Sequence, residues 1–337
     1  MKFTTKALLG AATLALFAGA ASAGDLACLI TKNNTNPFFV KMKEGAEAAA
    51  TAAGMDFQAY AGEKDGDAAP QITAIENCVA AGAKGILITA SNDSVGPALK
   101  AARAAGILVI ALDTPLADAE AQDMTFATDN FEAGLLIGKW AAATLGAEGV
   151  ANAKIGMLDI NKDNISVDVA RDTGFLVGFG IEVPDLTVMG SETDPRVIGH
   201  ESSGANPEGG VTSVENLLAK DPDMNVVYTI NEPAAEGAFQ ALTKAGKTGV
   251  LVVSVDGGCP GIASVKAGVI GATSQQYPLK MASLGIEAIA AFAKDGTKPV
   301  ASEGLSFFNT GVNLVTDKPA EGVPSIDSTK GTELCWG

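Results

Sequence analysis

The chain has 337 residues, with 39 acidic against 23 basic side chains, a net charge of −16 and one histidine. No cluster of Lys and Arg could follow a phosphate backbone, which excludes nucleic acid as an expected partner. The length exceeds the ~250–300 residues at which one hydrophobic core divides, so two domains are expected.

Residues 1–23 read as a secretory signal. Lys2 and Lys6 precede an apolar stretch from Ala7 to Ala20, and Ala21-Ser22-Ala23 is a small-residue cleavage site. The stretch is short for a membrane span, which needs ~20 apolar residues. Cleavage before Gly24 would leave 21 basic against 39 acidic residues, a net charge of −18.

Beyond it, apolar strands alternate with alanine-rich helices. Leu26–Ile30 is the first strand. Asn36 can cap the helix that follows, with Pro37 at its first position, where a missing N–H costs nothing. Phe38, Met42, Ala46, Ala49 and Ala53 recur at helical spacing, and Gly54 ends the pattern. One of the two adjacent aromatics, Phe38 and Phe39, can pack inward, leaving the other free to project beyond the strand end. Strands are then expected at Asp56–Tyr60, Gly85–Thr89, Ile107–Leu112 and Met124–Thr128. Helices are expected at Ala68–Ala81, Gly96–Ala105 and Phe131–Leu145.

A second series repeats the design. Strands are expected at Lys154–Leu158, Val226–Ile230, Val250–Val255 and Val269–Ser274. Helices are expected at Val167–Gly178, Val211–Lys220, Pro233–Ala245, Ile262–Ala267 and Pro278–Lys294. Gly190–Gly210 reads as a polar loop, and Asn309 onward as a tail wrapped over one domain. Strands unbroken by polar residues and alternating with helices predict two doubly wound α/β domains with parallel sheets, covered on both faces. Ligands of such sheets bind beyond the carboxyl ends of the strands.

Those ends are rich in planar hydrogen-bonding groups: Asn36; Ser91, Asn92 and Asp93; Asp113; Asp129 and Asn130; Asp159; Asn231 and Glu232; Asp256; Gln275 and Gln276. Arg171 stands in a helix of apolar and acidic neighbours. Forked amide, carboxylate and guanidinium groups can each hold two adjacent hydroxyls, and a neighbouring aromatic covers the C–H face of a ring. The set suits a neutral polyhydroxylated small molecule. Taken singly, each Asn or Asp also reads as a turn or cap residue.

Other chemistry finds little support. GxGxxG after a strand, GxxxxGK[ST] and GxSxG are missing, and the lone His200 is a poor triad base. Pairs such as Asp65/Asp67 read as solvated loop charges. With no CxxC and one histidine, no metal and no cofactor are expected. Cys28, Cys78, Cys259 and Cys335 allow three disulfide pairings. The expected one is Cys28–Cys78 and Cys259–Cys335: the first two fall in one early αβ region, and Cys335 sits where a tail needs tying down. Four buried thiols are the alternative.

The stretch Leu29-Ile30-Thr31-Lys32 followed by Asn36-Pro37-Phe38-Phe39-Val40-Lys41-Met42-Lys43-Glu44-Gly45 resembles the opening of the ribose-binding type of periplasmic substrate-binding protein. Val109-Ile110-Ala111-Leu112-Asp113-Thr114-Pro115 resembles that family's fourth-strand motif, and Ala127-Thr128-Asp129-Asn130 its domain crossover. Asn231-Glu232 and Val253-Ser254-Val255-Asp256-Gly257-Gly258 resemble two strand ends of its second domain. Ile86–Ser91, Gly271–Pro278 and the ending Cys335-Trp336-Gly337 look most like fructose-binding proteins of bacterial ABC importers.

The resemblance implies sugar contacts from Asn36, Phe38, Phe39, Asp113, Arg171, Asn231, Asp256 and Gln276, with Lys32, Thr89 and Ser91 or Asn92 at neighbouring positions. Two departures from the ribose-binding pattern argue against ribose itself. Thr114 stands where an arginine commonly follows the fourth-strand aspartate. An aromatic of the second-domain linker is missing, with Ala205-Asn206 nearby, which makes Asn206 a candidate replacement contact.

The organisation it implies is a periplasmic monomer with no enzymatic activity. A lobe of residues 24–128 plus 277–306 and a lobe of 129–276 plus 307–337 would be joined by three hinge crossings, near Thr128-Asp129, Gln276-Tyr277 and Ser306-Phe307. A monosaccharide, fructose first with ribose and mannose as alternatives, would be held between the lobes and passed to a membrane permease. Service to a chemoreceptor or sensor kinase is the alternative among binding proteins, and an exported sugar-active enzyme the alternative from another class.

Overall fold

The computed structural model describes residues 24–337, and the expected signal segment lies outside them. In chain order the elements begin β1 (Leu26–Thr31), α1 (Pro37–Ala53), β2 (Asp56–Ala61), α2 (Ala69–Ala80), β3 (Gly85–Ile88), α3 (Gly96–Ala104), β4 (Leu108–Leu112) and β5 (Met124–Ala127). Then come α4 (Asn130–Ala151), β6 (Ile155–Asp159), α5 (Ser166–Phe179), β7 (Val197–Ser202), α6 (Pro207–Lys220), β8 (Val226–Thr229), α7 (Glu232–Lys244), β9 (Leu251–Asp256), α8 (Cys259–Lys266) and β10 (Ala272–Gln275). Helix α9 (Pro278–Asp295), β11 (Phe308–Asn309), β12 (Asn313–Val315) and α10 (Ser328–Leu334) complete the chain.

The strands form two sheets of six, ordered β11-β5-β4-β3-β1-β2 and β12-β10-β9-β8-β6-β7. Every pairing is parallel except β10 with β12. In the first sheet Leu29, Leu87 and Ile110 face one apolar cluster and Ile30, Ile88 and Val109 the other. Each central strand is therefore buried on both faces, which is why these segments read as continuous apolar runs. The chain changes sheet three times: after β5, after β10, and between Asn309 of β11 and Asn313 of β12. The third change lies beyond Ser306-Phe307, because Phe308 and Asn309 still pair with Phe126 and Ala127 of β5.

Helices α4 and α5 pack unusually close. Side chains added at Gly134 or Gly138 would meet the carbonyls of Arg171 and Phe175, and at Gly174 or Gly178 those of Phe131 and Leu135, all within 2.3 Å. Two pairs of glycines one turn apart thus let the helix backbones touch and set the position of Arg171 on α5. At Gly146 the backbone leaves helical geometry, and α4 continues beyond the kink to Ala151.

The polar stretch 190–210 is not all loop: it contains β7, the edge strand of the second sheet. Its residues are half-buried or exposed, so they lack the apolar signature of the central strands. Strand β10 starts three residues later than the apolar run because the Val269 N–H turns back to the Ser264 carbonyl. The disulfides are Cys28–Cys78 and Cys259–Cys335, the expected pairing. No described helix is long and apolar enough to cross a membrane.

Candidate functional site

The carboxyl ends of both sheets face each other, and Arg171 lies between them. Its Nε donates to Asn130 Oδ1 at 2.7 Å, one terminal nitrogen to the Ile230 carbonyl at 3.1 Å, and the other to Gln276 Oε1 at 3.2 Å. The last nitrogen is also 3.6 Å from Asp113 Oδ1, and both side chains are about 95% buried. Asp113 ends β4 of the first sheet, whereas Arg171 rides on the second. Gln276 Nε2 donates to Asp256 Oδ1 at 2.7 Å, which extends the chain to the end of β9.

Asp113 and Asp256 hold corresponding places in the two sheets, and both have positive φ, 63° and 147°. At Asp113 the Thr114 N–H reaches back to the Leu112 carbonyl, closing a tight turn that few non-glycine residues adopt. Such backbone strain persists where the surroundings over-determine it, and it aims the side chain off the strand axis. Asp113 Oδ1 has no hydrogen-bond partner. Burial raises Asp256 to about 6, against the opposing charge of Arg171.

Glu232 fixes the loop beneath Asp256. Its buried carboxylate accepts from the N–H groups of Gly257 and Gly258 and from Thr273 Oγ1, at 2.8–2.9 Å. Burial, and then the Asp256 charge, push Glu232 up to about 8, while the three donors pull the other way.

Four asparagines expected as sugar contacts, three at strand ends and Asn206 in the longer linker segment, act as helix or turn caps. Asn36 Oδ1 accepts from the Phe38 N–H, Asn92 Oδ1 from Ser94, Asn206 Oδ1 from Gly209 and Asn231 Oδ1 from Ala234. Three of them also use Nδ2 within the protein: Asn92 on Gly66, Asn206 on Gly204 and Asn231 on Ala205. Asn206 is exposed. Lys32 is buried and forms no ion pair among the described residues. The Ser91 hydroxyl is buried without a partner.

Both aromatics of the opening motif are buried, so neither projects freely. Phe38 instead meets Trp336 edge to face, with centroids 5.3 Å apart. The Cys259–Cys335 disulfide anchors Trp336 beside the second sheet, and its Nε1 donates to the Gln276 carbonyl. At the mouth of the cleft lies a cavity of about 770 Å³, lined among others by Asn36, Asp65, Asn206, Asp256 and Trp336.

Several contributors were not legible as site residues. Asn130 stood out only as one polar residue among several at a crossover. Gln71 sits inside an ordinary helix pattern, yet it ties three loops together: Nε2 donates to the Thr31 and Thr89 carbonyls, and Oε1 accepts from Ser91. Asp65, read as a solvated charge, accepts from Asn33. Burial raises its carboxyl against the opposing charge of Lys32.

A second polar cluster lies outside the cleft, under α5. His200 Nδ1 is 2.9 Å from Asp159 Oδ2 and 3.4 Å from Asp172 Oδ2, and its Nε2 is 2.9 Å from Glu192 Oε1. Parallel register aligns His200 and Tyr228 with Met157, so both share the face of Asp159, two residues further on. Burial works against a charged imidazole there, but the hydrogen bonds of Asp159 and Glu192 outweigh it and push His200 up to about 11.

Two hinged parallel-sheet lobes with a buried, multiply bonded polar set between them define a two-lobed solute-binding protein. A family model described as a periplasmic binding protein domain matches residues 27–298, and the chain belongs to this family. It is 31% identical over 284 residues to a ribose import binding protein of Haemophilus influenzae, covering 84% of this chain and 89% of that one. A D-allose-binding periplasmic protein of Escherichia coli is 28% identical over 305 residues, with 88% and 92% covered. Among solved structures, a periplasmic solute-binding protein of Actinobacillus succinogenes with bound D-allose superposes with a TM-score of 0.74 at 23% identity, covering 92% and 99% of the two chains.

Proposed function

We propose that this chain is the periplasmic monosaccharide-capturing component of an ABC importer, with fructose as its first candidate sugar. The observation that carries the reading is the Asp113–Arg171–Gln276–Asp256 chain, which joins strand ends of both sheets in a buried cleft. Sugar hydroxyls would bond these forks from both lobes, residues 24–128 plus 277–309 and 129–276 plus 313–337. Only closure satisfies both sets at once, so ligand favours the closed state. Asn36 lines the adjoining cavity, and Lys32, Phe38, Phe39, Ser91 and Asn231 complete the proposed contact set. Asn92, Asn206 and Asn231, whose amides are spent on the protein itself, are the weakest contacts of the set.

Fructose is favoured by the segments around Ile86–Ser91 and Gly271–Pro278, the Cys-Trp-Gly ending, and Thr114 in place of an arginine. Relatives described as binding ribose, D-allose and D-apiose keep other sugars in the comparison. No reaction is assigned, and the closed face would deliver the sugar to a membrane permease. The test is a thermal-shift panel of fructose, ribose, mannose, allose and apiose, with the sugar assayed afterwards. A rise in Tm with fructose above the others, and sugar recovered unchanged, is expected. No shift with any sugar, or consumption of the sugar, overturns the reading.

A further inference from the structure

The His200 cluster contains more negative charge than its surroundings neutralise. Asp159, Asp172 and Glu192 contact one imidazole, Asp168 lies one turn before Asp172 on α5, and no Lys or Arg pairs with any of the four among the described residues. Asp168 and Asp172 are completely buried. Neither oxygen of Asp172 has a hydrogen-bond partner, nor do Oδ1 of Asp159, Oδ1 of Asp168, Oε2 of Glu192 or the hydroxyl of Tyr228. Asp168 satisfies only its other oxygen, on the Ile160 N–H at 2.7 Å. A buried carboxylate without donors or a cation is costly, several kcal/mol by general estimates. Asp172 has no hydrogen-bond donor on either oxygen, and Asp159 and Glu192 each keep one oxygen unpaired beside His200, which calls for a common partner.

The geometry supplies a place for one. Asp159 Oδ2, Asp172 Oδ2 and His200 Nδ1 lie within 4.8 Å of one another. Ligands bonded to one ion at ~2.0–2.2 Å stand roughly 3–3.5 Å apart, and two of these separations are 2.9 and 3.4 Å. Glu192 holds the opposite ring nitrogen, so an ion that displaces the Nδ1 proton would meet that lone pair facing the two aspartates. A carboxylate in that position is the usual companion of a metal-bound histidine. We propose that Asp159, Asp172 and His200 form a divalent metal site. One nitrogen with two carboxylate oxygens suits the zinc and manganese class better than calcium or magnesium, which prefer oxygen alone. The ion would clamp β6, β7 and α5 together directly behind Arg171.

The test uses the full secreted chain without sugar, treated with EDTA, dialysed, and then titrated with ZnCl2 or MnCl2 alone. One equivalent of bound metal by elemental analysis, with a rise in Tm, is expected. Asp172→Asn and His200→Gln should abolish both, and Glu192→Gln should weaken metal binding about 10- to 100-fold. Asp172→Asn relieves buried charge without changing shape, so it keeps the experiment decisive if His200→Gln fails to fold. No metal response in the native chain means that protons hold the cluster, which overturns the proposal. A response that survives in Asp172→Asn overturns it too, because the ion then sits elsewhere.

Discussion

Arg171 and Asp113 approach within 3.6 Å although they belong to different sheets, one on α5 and the other at the end of β4. This buried ion pair spans the cleft. Truncating Arg171 leaves Asn130 Oδ1, the Ile230 carbonyl and Gln276 Oε1 without their common donor and Asp113 without its opposing charge. Arg171→Ala should weaken monosaccharide binding by about 2–5 kcal/mol, the usual loss when one partner of a buried charged pair is removed. Arg171→Lys should recover little, since an ammonium cannot reproduce the planar fork. Titration calorimetry with both variants decides the point, and unchanged affinity in Arg171→Ala would remove the residue from the site.

Asp256 should make sugar affinity depend on pH. Its pKa is raised from 3.8 to about 6. Sugar hydroxyls donate to the ionised carboxylate, so ligand competes with the proton. Affinity should be level above about pH 7 and fall as pH drops through 6, by at most about tenfold per unit. Its contribution to folding runs the other way. A raised pKa gives stability that is complete below about pH 4 and lost as pH rises through 6. Binding and denaturation series from pH 4.5 to 8 should therefore slope in opposite directions for this group, and Asp256→Asn should flatten both.

Glu232 tests whether the loop under Asp256 needs a carboxylate. Its two oxygens meet three donors. A glutamine would turn its NH2 against one of them. Measured above pH 8, where the carboxylate is ionised, Glu232→Gln should cost about 1–3 kcal/mol of stability by chemical denaturation, the penalty of a buried donor left unpaired. A variant as stable as the native chain would mean that the residue is already protonated in the fold.

The close contact of α4 and α5 has no room for a methyl group. Gly174→Ala would place Cβ 2.2 Å from the Phe131 carbonyl. The helices must separate, at about 1–3 kcal/mol or more, and Arg171 moves with α5. Sugar affinity and Tm should fall together. A solvent-facing control such as Gly54→Ala, strained by its left-handed backbone but meeting no atom within 4 Å, should lower Tm only.

The two tryptophans provide an optical test of closure. Trp140 is fully buried in the core of the second lobe, while Trp336 meets Phe38 edge to face across the cleft. A fluorescence change on sugar addition should persist in Trp140→Phe and vanish in Trp336→Phe. The reverse pattern would place the moving contact elsewhere.

Local regularities in the chain were enough to reveal its architecture. Runs such as Ile86–Ile88 and Val109–Leu112 are apolar because both faces of a parallel sheet are covered, and helix starts such as Asn36-Pro37 carry their own stop and start signals. Strand β7 escaped this reading because an edge strand is half wet and its sequence, Val-Ile-Gly-His-Glu-Ser, alternates too weakly. The asparagines at strand ends show the limit from the other side: cap and ligand contact use the same residue type, and sequence alone gives no sign of which partner the amide oxygen takes.

Composition and periodicity thus determined two doubly wound lobes, their covered sheets and the polar character of the strand ends. Only the folded arrangement decided that Arg171 meets Asn130, Gln276 and Asp113, that Glu232 supports Asp256, and that His200 lies among three carboxylates. Secondary structure is written in neighbours a few residues apart. Charge pairing inside a cleft joins residues 58 to 105 positions distant, as Asp113 to Arg171 and Arg171 to Gln276, and no local pattern encodes it.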